Sequence, residues 1–269
     1  MSIVLISAFF AFALALLLGL ALGFFREFFA VVEDPLAGQI RAALPGANCG
    51  ACGFPGCDGY AAAVAKQEAP ANRCTVGGAA VAAQIAALTG VEAEALAPKV
   101  AVLACQGTLE HSPLKGVYTG VPTCRAAKLS AGGTKLCSWA CLGFGDCLKV
   151  CQFGALSLGD NGLPRIDPAR CTGCKACAAE CPQTLLQVIP IDRAAPLTRC
   201  SNRNPLKAMV LKTCKAGCIK CELCVRVCPK HCITLDRGIP VIDAANCAAC
   251  GLCAAKCPTK ALQGFSTKA

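Results

Sequence analysis

Three stretches of this chain repeat one cysteine spacing without variation. Cys171, Cys174, Cys177 and Cys181 run into Pro182; Cys218, Cys221, Cys224 and Cys228 run into Pro229; Cys247, Cys250, Cys253 and Cys257 run into Pro258. Each reads C-x2-C-x2-C-x3-C-P, the spacing that suits a four-iron cubane. Three thiolates on one tight loop cap three irons, and the fourth is carried off on a short helical turn to a neighbouring cluster. Zinc is the competing chemistry, but its sites usually join two knuckles well apart in sequence. Disulfides compete as well. The chain has 25 cysteines in 269 residues, and disulfide frameworks of that density belong to secreted chains below about 100 residues. Cysteines two or three residues apart also rarely bridge without strain.

The runs belong to a duplicated unit. GLPRIDPARCTGCKACAAECPQTLLQVI at 162–189 aligns with GIPVIDAANCAACGLCAAKCPTKALQGF at 238–265, at a constant offset of 76 residues. The preceding halves, CLKVCQFGALSL at 147–158 and CVRVCPKHCITL at 224–235, also match. One module is used twice, each copy with two cysteine runs around short apolar strands and a Gly-containing turn. The first run of the first copy is irregular. CSWACLGFGDCLKVCQFGA, 137–155, reads C-x3-C-x5-C-x3-C and carries Gln152 in place of the proline. By spacing alone it is open to three readings: a divergent cluster run, a zinc site, or four unrelated thiols.

From 137 to 265 the pattern resembles the two-cluster bacterial ferredoxins, and the resemblance implies crossed ligation. Cys218, Cys221 and Cys224 with Cys257 would hold one cluster, and Cys247, Cys250 and Cys253 with Cys228 its neighbour. In the first copy, Cys171, Cys174 and Cys177 would be closed by Cys151. Cys137, Cys141 and Cys147 would be closed by Cys181, which otherwise has no cluster to serve. The longer gaps predict a wider loop there, with Trp139 and Phe144 to shield it. The missing proline weakens the local turn and removes no ligand.

The N-terminal group differs. LPGANCGACGFPGCDGYAAAVAKQEAPANRC sets Cys49, Cys52, Cys57 and Cys74 at C-x2-C-x4-C-x16-C. Gly50, Gly53 and Gly56 allow positive φ and let backbone N–H groups approach sulfur. This spacing alone does not exclude a zinc knuckle; beside three cluster runs it favours iron–sulfur. The motif resembles the small four-iron domain of the B subunit of Rnf electron-transport complexes and of some corrinoid proteins. With a membrane helix before it and ferredoxin modules after it, the whole chain resembles the Rnf B subunit, in the cysteine-rich form with two ferredoxin modules. That resemblance implies single-electron relay between soluble ferredoxin and the other subunits, flavin-bearing membrane subunits and an NADH-binding subunit. The complex would perform ferredoxin:NAD+ oxidoreduction coupled to Na+ or H+ translocation. A membrane-bound polyferredoxin serving a hydrogenase or another reductase is the alternative.

Met1–Phe25 contains no charged side chain, and about 20 apolar residues span a bilayer as a helix. A cleaved signal peptide would want a basic start and a shorter apolar core. The segment reads as a retained single-pass anchor. Arg26 and Arg41 follow it, so the positive-inside rule puts the N-terminus outside and the cluster domains on the cytoplasmic side of the inner membrane.

The expected fold is α+β, with one N-terminal transmembrane helix, a small four-iron cluster domain and two tandem bacterial 2[4Fe-4S] ferredoxin-like modules. The boundaries read 1–26 anchor, 27–45 linker, 46–98 N-terminal cluster domain, 99–136 connecting segment, 137–190 first module, 191–215 inserted loop and 216–269 second module. A helix is expected at about 79–97, a buried strand at Lys99–Cys105, and a loop to about 135.

The formal charge of +10 would suggest nucleic acid or anionic lipid. Each four-thiolate cluster carries about −2, so five bring the chain to about 0 and six to about −2. Aromatic residues are only 5%, too few for base-stacking platforms, and no nucleic-acid partner is expected. Five [4Fe–4S] clusters are expected. Of the remaining cysteines, Cys232 stands where the sister repeats have small or aliphatic residues and reads as core. Cys105, Cys124, Cys200 and Cys214 make a sixth set of four, or are incidental thiols. His111 and His231 read as solvated or hydrogen-bonded side chains. AGGTK at 131–135 lacks the spacing of a phosphate loop, and no G-x-G-x-x-G follows a strand, so no nucleotide or flavin site and no acid, base or nucleophile is expected.

Overall fold

The computed structural model describes residues 2–29, 34–92 and 97–264. Helix α1 (Ser2–Phe28) is apolar on all sides as far as Phe25, and its stretch Val4–Phe28 is long and apolar enough to cross a membrane, with none of its most apolar window buried in the protein. An all-round apolar helix needs either a large core or lipid.

The expected linker at 27–45 is largely a helix instead, though residues 30–33 lie outside the described residues. Asp34 caps α2 (Pro35–Ala43), its carboxylate accepting from the Leu36 N–H at 2.9 Å, and Pro35 takes the first turn. The Asp34–Pro35 pair is therefore a helix start. Ile40 on α2 is fully buried, packing into one core with Tyr60 of α3 (Cys57–Ala65) and Ile85 of α4 (Gly78–Thr89). Arg41 ties α2 to Asp58 at 2.6 Å. Helix α4 starts where a helix was expected and stops at Gly90, whose φ of 70° ends it; residues 93–96 lie outside the described residues.

The rest of the chain runs through the same order of elements twice. The first pass is β1 (Lys99–Leu103), α5 (Cys124–Ala131), α6 (Asp146–Lys149), β2 (Leu156–Leu158), β3 (Pro164–Ile166), α7 (Ala176–Glu180) and β4 (Leu186–Pro190). The second is β5 (Leu197–Thr198), α8 (Lys207–Thr213), α9 (Leu223–Arg226), β6 (Ile233–Asp236), β7 (Ile239–Ile242), α10 (Leu252–Ala255) and β8 (Leu262–Gln263). In each pass the middle strands form an antiparallel hairpin, β2–β3 and β6–β7. The closing strand pairs antiparallel with the opening one, β4 with β1 (Leu186 opposite Leu103) and β8 with β5 (Leu262 opposite Thr198).

The structural repeat is thus longer than the expected 137–190 and 216–269. Its first strands lie in the segments assigned as connection and inserted loop. The physical reason is backbone pairing: the strand that leaves the last cysteine of a run needs a partner for its N–H and C=O groups. The loop expected before 135 contains α5, started by Thr123, whose hydroxyl accepts from the Ala126 N–H at 3.2 Å. The largest core joins the two passes, packing Ala101, Leu103, Leu163, Leu185 and Leu186 of the first with Cys214 and Ala216 of the second.

Candidate iron–sulfur sites

The three regular runs share one backbone device. The residues flanking each middle cysteine are left-handed: Gly173 (φ 65°) and Lys175 (67°) around Cys174, Lys220 (54°) and Glu222 (58°) around Cys221, Ala249 (52°) and Gly251 (72°) around Cys250. These reversals curl each loop, and in each run a short helix starts immediately after the second of them. Lysine, glutamate and alanine rarely adopt this conformation, so the runs hold local strain that bound metal can offset. At Gly173 a side chain would also meet the Lys99 carbonyl oxygen at 2.8 Å.

The structure gathers the cysteines across these loops. The cysteines beside Cys177 are Cys171, Cys174 and then Cys151. Those beside Cys224 are Cys218, Cys221 and Cys257. Cys253 has Cys247, Cys228 and Cys250 around it, and Cys74 has Cys57 and Cys49, with Cys52 and Cys74 both beside Tyr60. The cysteines of the irregular run have neighbours from several elements. Cys137 lies among Cys214, Cys105 and Cys200. Cys141 has Cys105 and Cys124 beside it, and Cys147 has Cys124, Cys181 and Cys177. These neighbours cut across the expected set Cys137, Cys141, Cys147, Cys181 and the expected set Cys105, Cys124, Cys200, Cys214: Cys137 lies among members of the second, and Cys124 beside members of the first. Cys137 lies in the core between the two passes, 5% exposed, and Cys141 and Cys147 pack against the same core.

The turn after the fourth cysteine does not depend on proline. Gly154 donates to the Cys151 carbonyl at 3.3 Å, as Thr184, His231 and Lys260 do to Cys181, Cys228 and Cys257 at 3.0–3.2 Å. All four of those residues have positive φ, which gives lone His231 a place in a turn. Trp139 packs against the large core, and Phe144 packs edge-on against Tyr118 at 5.6 Å.

The surroundings fit iron–sulfur ligation. Backbone N–H groups aim at sulfur in the N-terminal domain and in both passes: Gly77 at Cys74 (3.3 Å), Ala101 at Cys171 (3.4 Å), Leu185 at Cys181 (3.5 Å) and Ala249 at Cys247 (3.4 Å). Such bonds are a standard means of setting cluster potential. The buried hydroxyls of Thr75 and Thr172, each next to a cysteine, have no partner, as expected of donors turned towards a sulfur-rich group. Burial pushes the thiols of Cys141 and Cys147 up to about 12 and that of Cys177 up to about 11, so thiolates there require a metal's charge. Among the described residues no three His, Cys, Asp or Glu side chains close on one point as a single ion requires.

Comparison with known proteins agrees with this donor chemistry. An Fe-S cluster family model matches residues 44–76, a 4Fe-4S binding domain model matches 163–189, and a 4Fe-4S dicluster domain model matches 217–261. The chain is 39% identical over 245 residues to the B subunit of the ion-translocating oxidoreductase complex of Methanosarcina acetivorans, covering 91% of this chain and 92% of that one. The chain belongs to the family of Rnf B subunits. It is also 38% identical over 249 residues to the B subunit of the Na(+)-translocating ferredoxin:NAD(+) oxidoreductase complex of Acetobacterium woodii, covering 82% of this chain and 74% of that one. To the B subunit of the proton-translocating ferredoxin:NAD(+) oxidoreductase complex of Clostridium ljungdahlii it is 40% identical over 231 residues, covering 86% and 81%. Members of the family are iron–sulfur electron-transfer subunits of an oxidoreductase complex, and the 4Fe-4S domains here are of that kind.

Cys232 sits in the core of the second pass, 7% exposed, with its sulfur 3.5 Å from that of Cys228. It has no counterpart among the other three turns. Cys232→Ala is expected to leave the iron content unchanged, because alanine fits the same small site; metal analysis of the variant checks this, and a loss of about four irons would make Cys232 a ligand.

Proposed function

We propose that the chain relays single electrons between soluble ferredoxin and the flavin-bearing and NADH-binding subunits of an Rnf-type complex that couples the reaction to Na+ or H+ movement. The observation that carries this is the gathering of crossed cysteine groups on ferredoxin-like loops in a chain of this family. The reading assigns four ligand sets: Cys49, Cys52, Cys57 and Cys74; Cys151, Cys171, Cys174 and Cys177; Cys218, Cys221, Cys224 and Cys257; Cys228, Cys247, Cys250 and Cys253; the neighbours of Cys177, Cys224 and Cys253 support it. When bound, [4Fe–4S] clusters supply reversible one-electron transfer. The protein's own work is to hold thiolates in place, aim N–H groups at them and exclude water. Cys250 is the exposed cysteine among the described residues, so its loop is the surface at which ferredoxin would exchange electrons. Hydride chemistry would belong to another subunit.

We further read α1 as the single-pass anchor in the cytoplasmic membrane, with the N-terminus outside. Arg26 in its last turn supports this orientation; Arg41 is occupied by Asp58. Deleting residues 1–29 is expected to release a coloured, soluble protein, and retention in the membrane fraction would show that other contacts hold it.

The deciding experiment is anaerobic isolation of the intact membrane complex. Reduced ferredoxin should bleach its broad absorbance near 400 nm, and NAD+ should restore it. A colourless chain would end the electron-transfer reading, and copurification with a hydrogenase instead would point to a polyferredoxin.

A further inference from the structure

The two passes also match outside the regular runs. Cys137, Cys141, Cys147 and Cys151 each lie 77 residues before Cys214, Cys218, Cys224 and Cys228. In the second pass Cys221 stands between Cys218 and Cys224. Its counterpart is Phe144, yet the backbone around Phe144 keeps the same left-handed flanks, Gly143 (φ 80°) and Gly145 (φ 78°). The loop is intact and lacks only its middle sulfur. Cys124, the first residue of α5, supplies one: its thiol lies beside the backbone of Asp146, Phe144 and Gly145, and Arg125 N–H donates to Asp146 at 3.2 Å.

That leaves Cys137 and Cys214, each four residues before the first cysteine of its loop, and Cys105 and Cys200, each two residues beyond the opening strand of its pass. Their surroundings repeat as well. Cys105 sulfur accepts from Gly107 N–H (3.2 Å) and Cys141 N–H (3.4 Å); Cys200 sulfur accepts from Asn202 N–H (3.5 Å) and Cys218 N–H (3.2 Å).

Three hydrogen-bonded links lace the four together across the two passes. Ser201 donates to the Ala104 carbonyl at 3.0 Å. The Asn202 amide reaches Cys137 sulfur at 3.6 Å. Ser112, fully buried, donates to the Thr213 carbonyl at 3.0 Å and accepts from Cys137 N–H at 3.2 Å. All four cysteines are buried, at 5–8% exposure. Cations surround them: Lys135 is 1% exposed, Lys220 donates to the Asn202 carbonyl at 2.7 Å, and buried Arg199 Nε has no partner.

We propose that Cys105, Cys137, Cys200 and Cys214 hold a sixth [4Fe–4S] cluster that bridges the two ferredoxin modules, two ligands coming from each, and that Cys124, Cys141, Cys147 and Cys181 hold the fifth. Ligands of the flanking clusters, Cys141 and Cys218, donate their own N–H groups to sulfurs of this bridge. It therefore joins two pairs of clusters into one chain of five. The proposal rests on the iron–sulfur reading above, and its test separates the two.

The test begins with iron and acid-labile sulfide per chain in the full-length protein isolated anaerobically. About 24 of each supports the bridge, and about 20 overturns it while the relay reading stands. A chain without iron would end both. Ligand membership is read from paired variants. Cys105→Ala with Cys200→Ala should lose about four irons, and no loss would make these incidental thiols. Cys105→Ala with Cys137→Ala should also lose about four, whereas Cys105→Ala with Cys124→Ala should lose about eight. The reverse order would restore the sets Cys137, Cys141, Cys147, Cys181 and Cys105, Cys124, Cys200, Cys214 and overturn the exchange. If a pair fails to fold, the wild-type count still decides whether the sixth cluster exists.

Discussion

Cys151→Ala will lose about four irons, and the loss will fall on the loop of Cys171, Cys174 and Cys177 rather than on Cys151's own neighbours in sequence. Cys151 is the last cysteine of the irregular run, but Cys177 is the group that feels it. The turn that carries it away is the same as in the three regular runs, closed by Gly154 N–H on the Cys151 carbonyl at 3.3 Å. The loop it closes is anchored on β1 by the Ala101 N–H bond to Cys171 sulfur at 3.4 Å. Losing the metal there should loosen the strained Gly173–Lys175 reversal and the β1–β4 edge together. Cys147→Ala should lose an equal amount of iron from a different site. Electron paramagnetic resonance of the two reduced variants checks the assignment, because each should lack a different signal. If both lack the same one, the crossing is wrong.

Much of this was legible in the residues. The regular runs, the duplicated module and the apolar N-terminus each have a pattern fixed by one physical demand: cubane ligation, repeated packing or bilayer thickness. The sequence pattern was weaker where a demand was met from far away. Phe144 hides the loop it sits in, because spacing records sulfur and the loop is kept by Gly143 and Gly145. Cys124 fills the gap from a helix that a Gly- and Ser-rich stretch did not announce. The strands β1 and β5 were assigned outside the modules because pairing to β4 and β8 is a non-local choice. Lys220, Asn202 and Ser112 carry no signal in the sequence, and Lys135 stands out only in AGGTK, for a chemistry it does not serve. Only burial between two cysteine groups marks them. The counterpart relation between Cys137 and Cys214 was present in the sequence, and the longer gap after Cys141 obscured it.

Lys135→Met should keep its iron and lower the reduction potentials of the centres beside it. AGGTK resembled a phosphate loop in passing, but its lysine is 1% exposed and donates to the Gly107 carbonyl at 2.6 Å. Among the described residues no carboxylate pairs with it. Its charge instead favours the thiolates of Cys141 and Cys214, which places it between the fifth cluster and the bridge. A buried ammonium without a carboxylate is costly, and bound clusters of about −2 supply the missing counter-charge. Each added electron makes a cluster more negative, so a fixed cation beside it stabilises the reduced form. At about 8 Å and an effective dielectric of about 20, one charge contributes about 2 kcal/mol, which for one electron is roughly 90 mV. Methionine keeps much of the lysine's apolar bulk, and the carbonyl of Gly107 loses its donor at a cost of about 1–3 kcal/mol. Lys149 is the control: its side chain is 63% exposed, so solvent and salt screen it and Lys149→Met should leave the potentials in place. Redox titration followed by paramagnetic resonance reads both variants. Equal potentials in Lys135→Met and wild type would reduce this lysine to a structural donor, whereas a downward shift confined to the central clusters makes it the residue that eases electrons across the junction of the two modules.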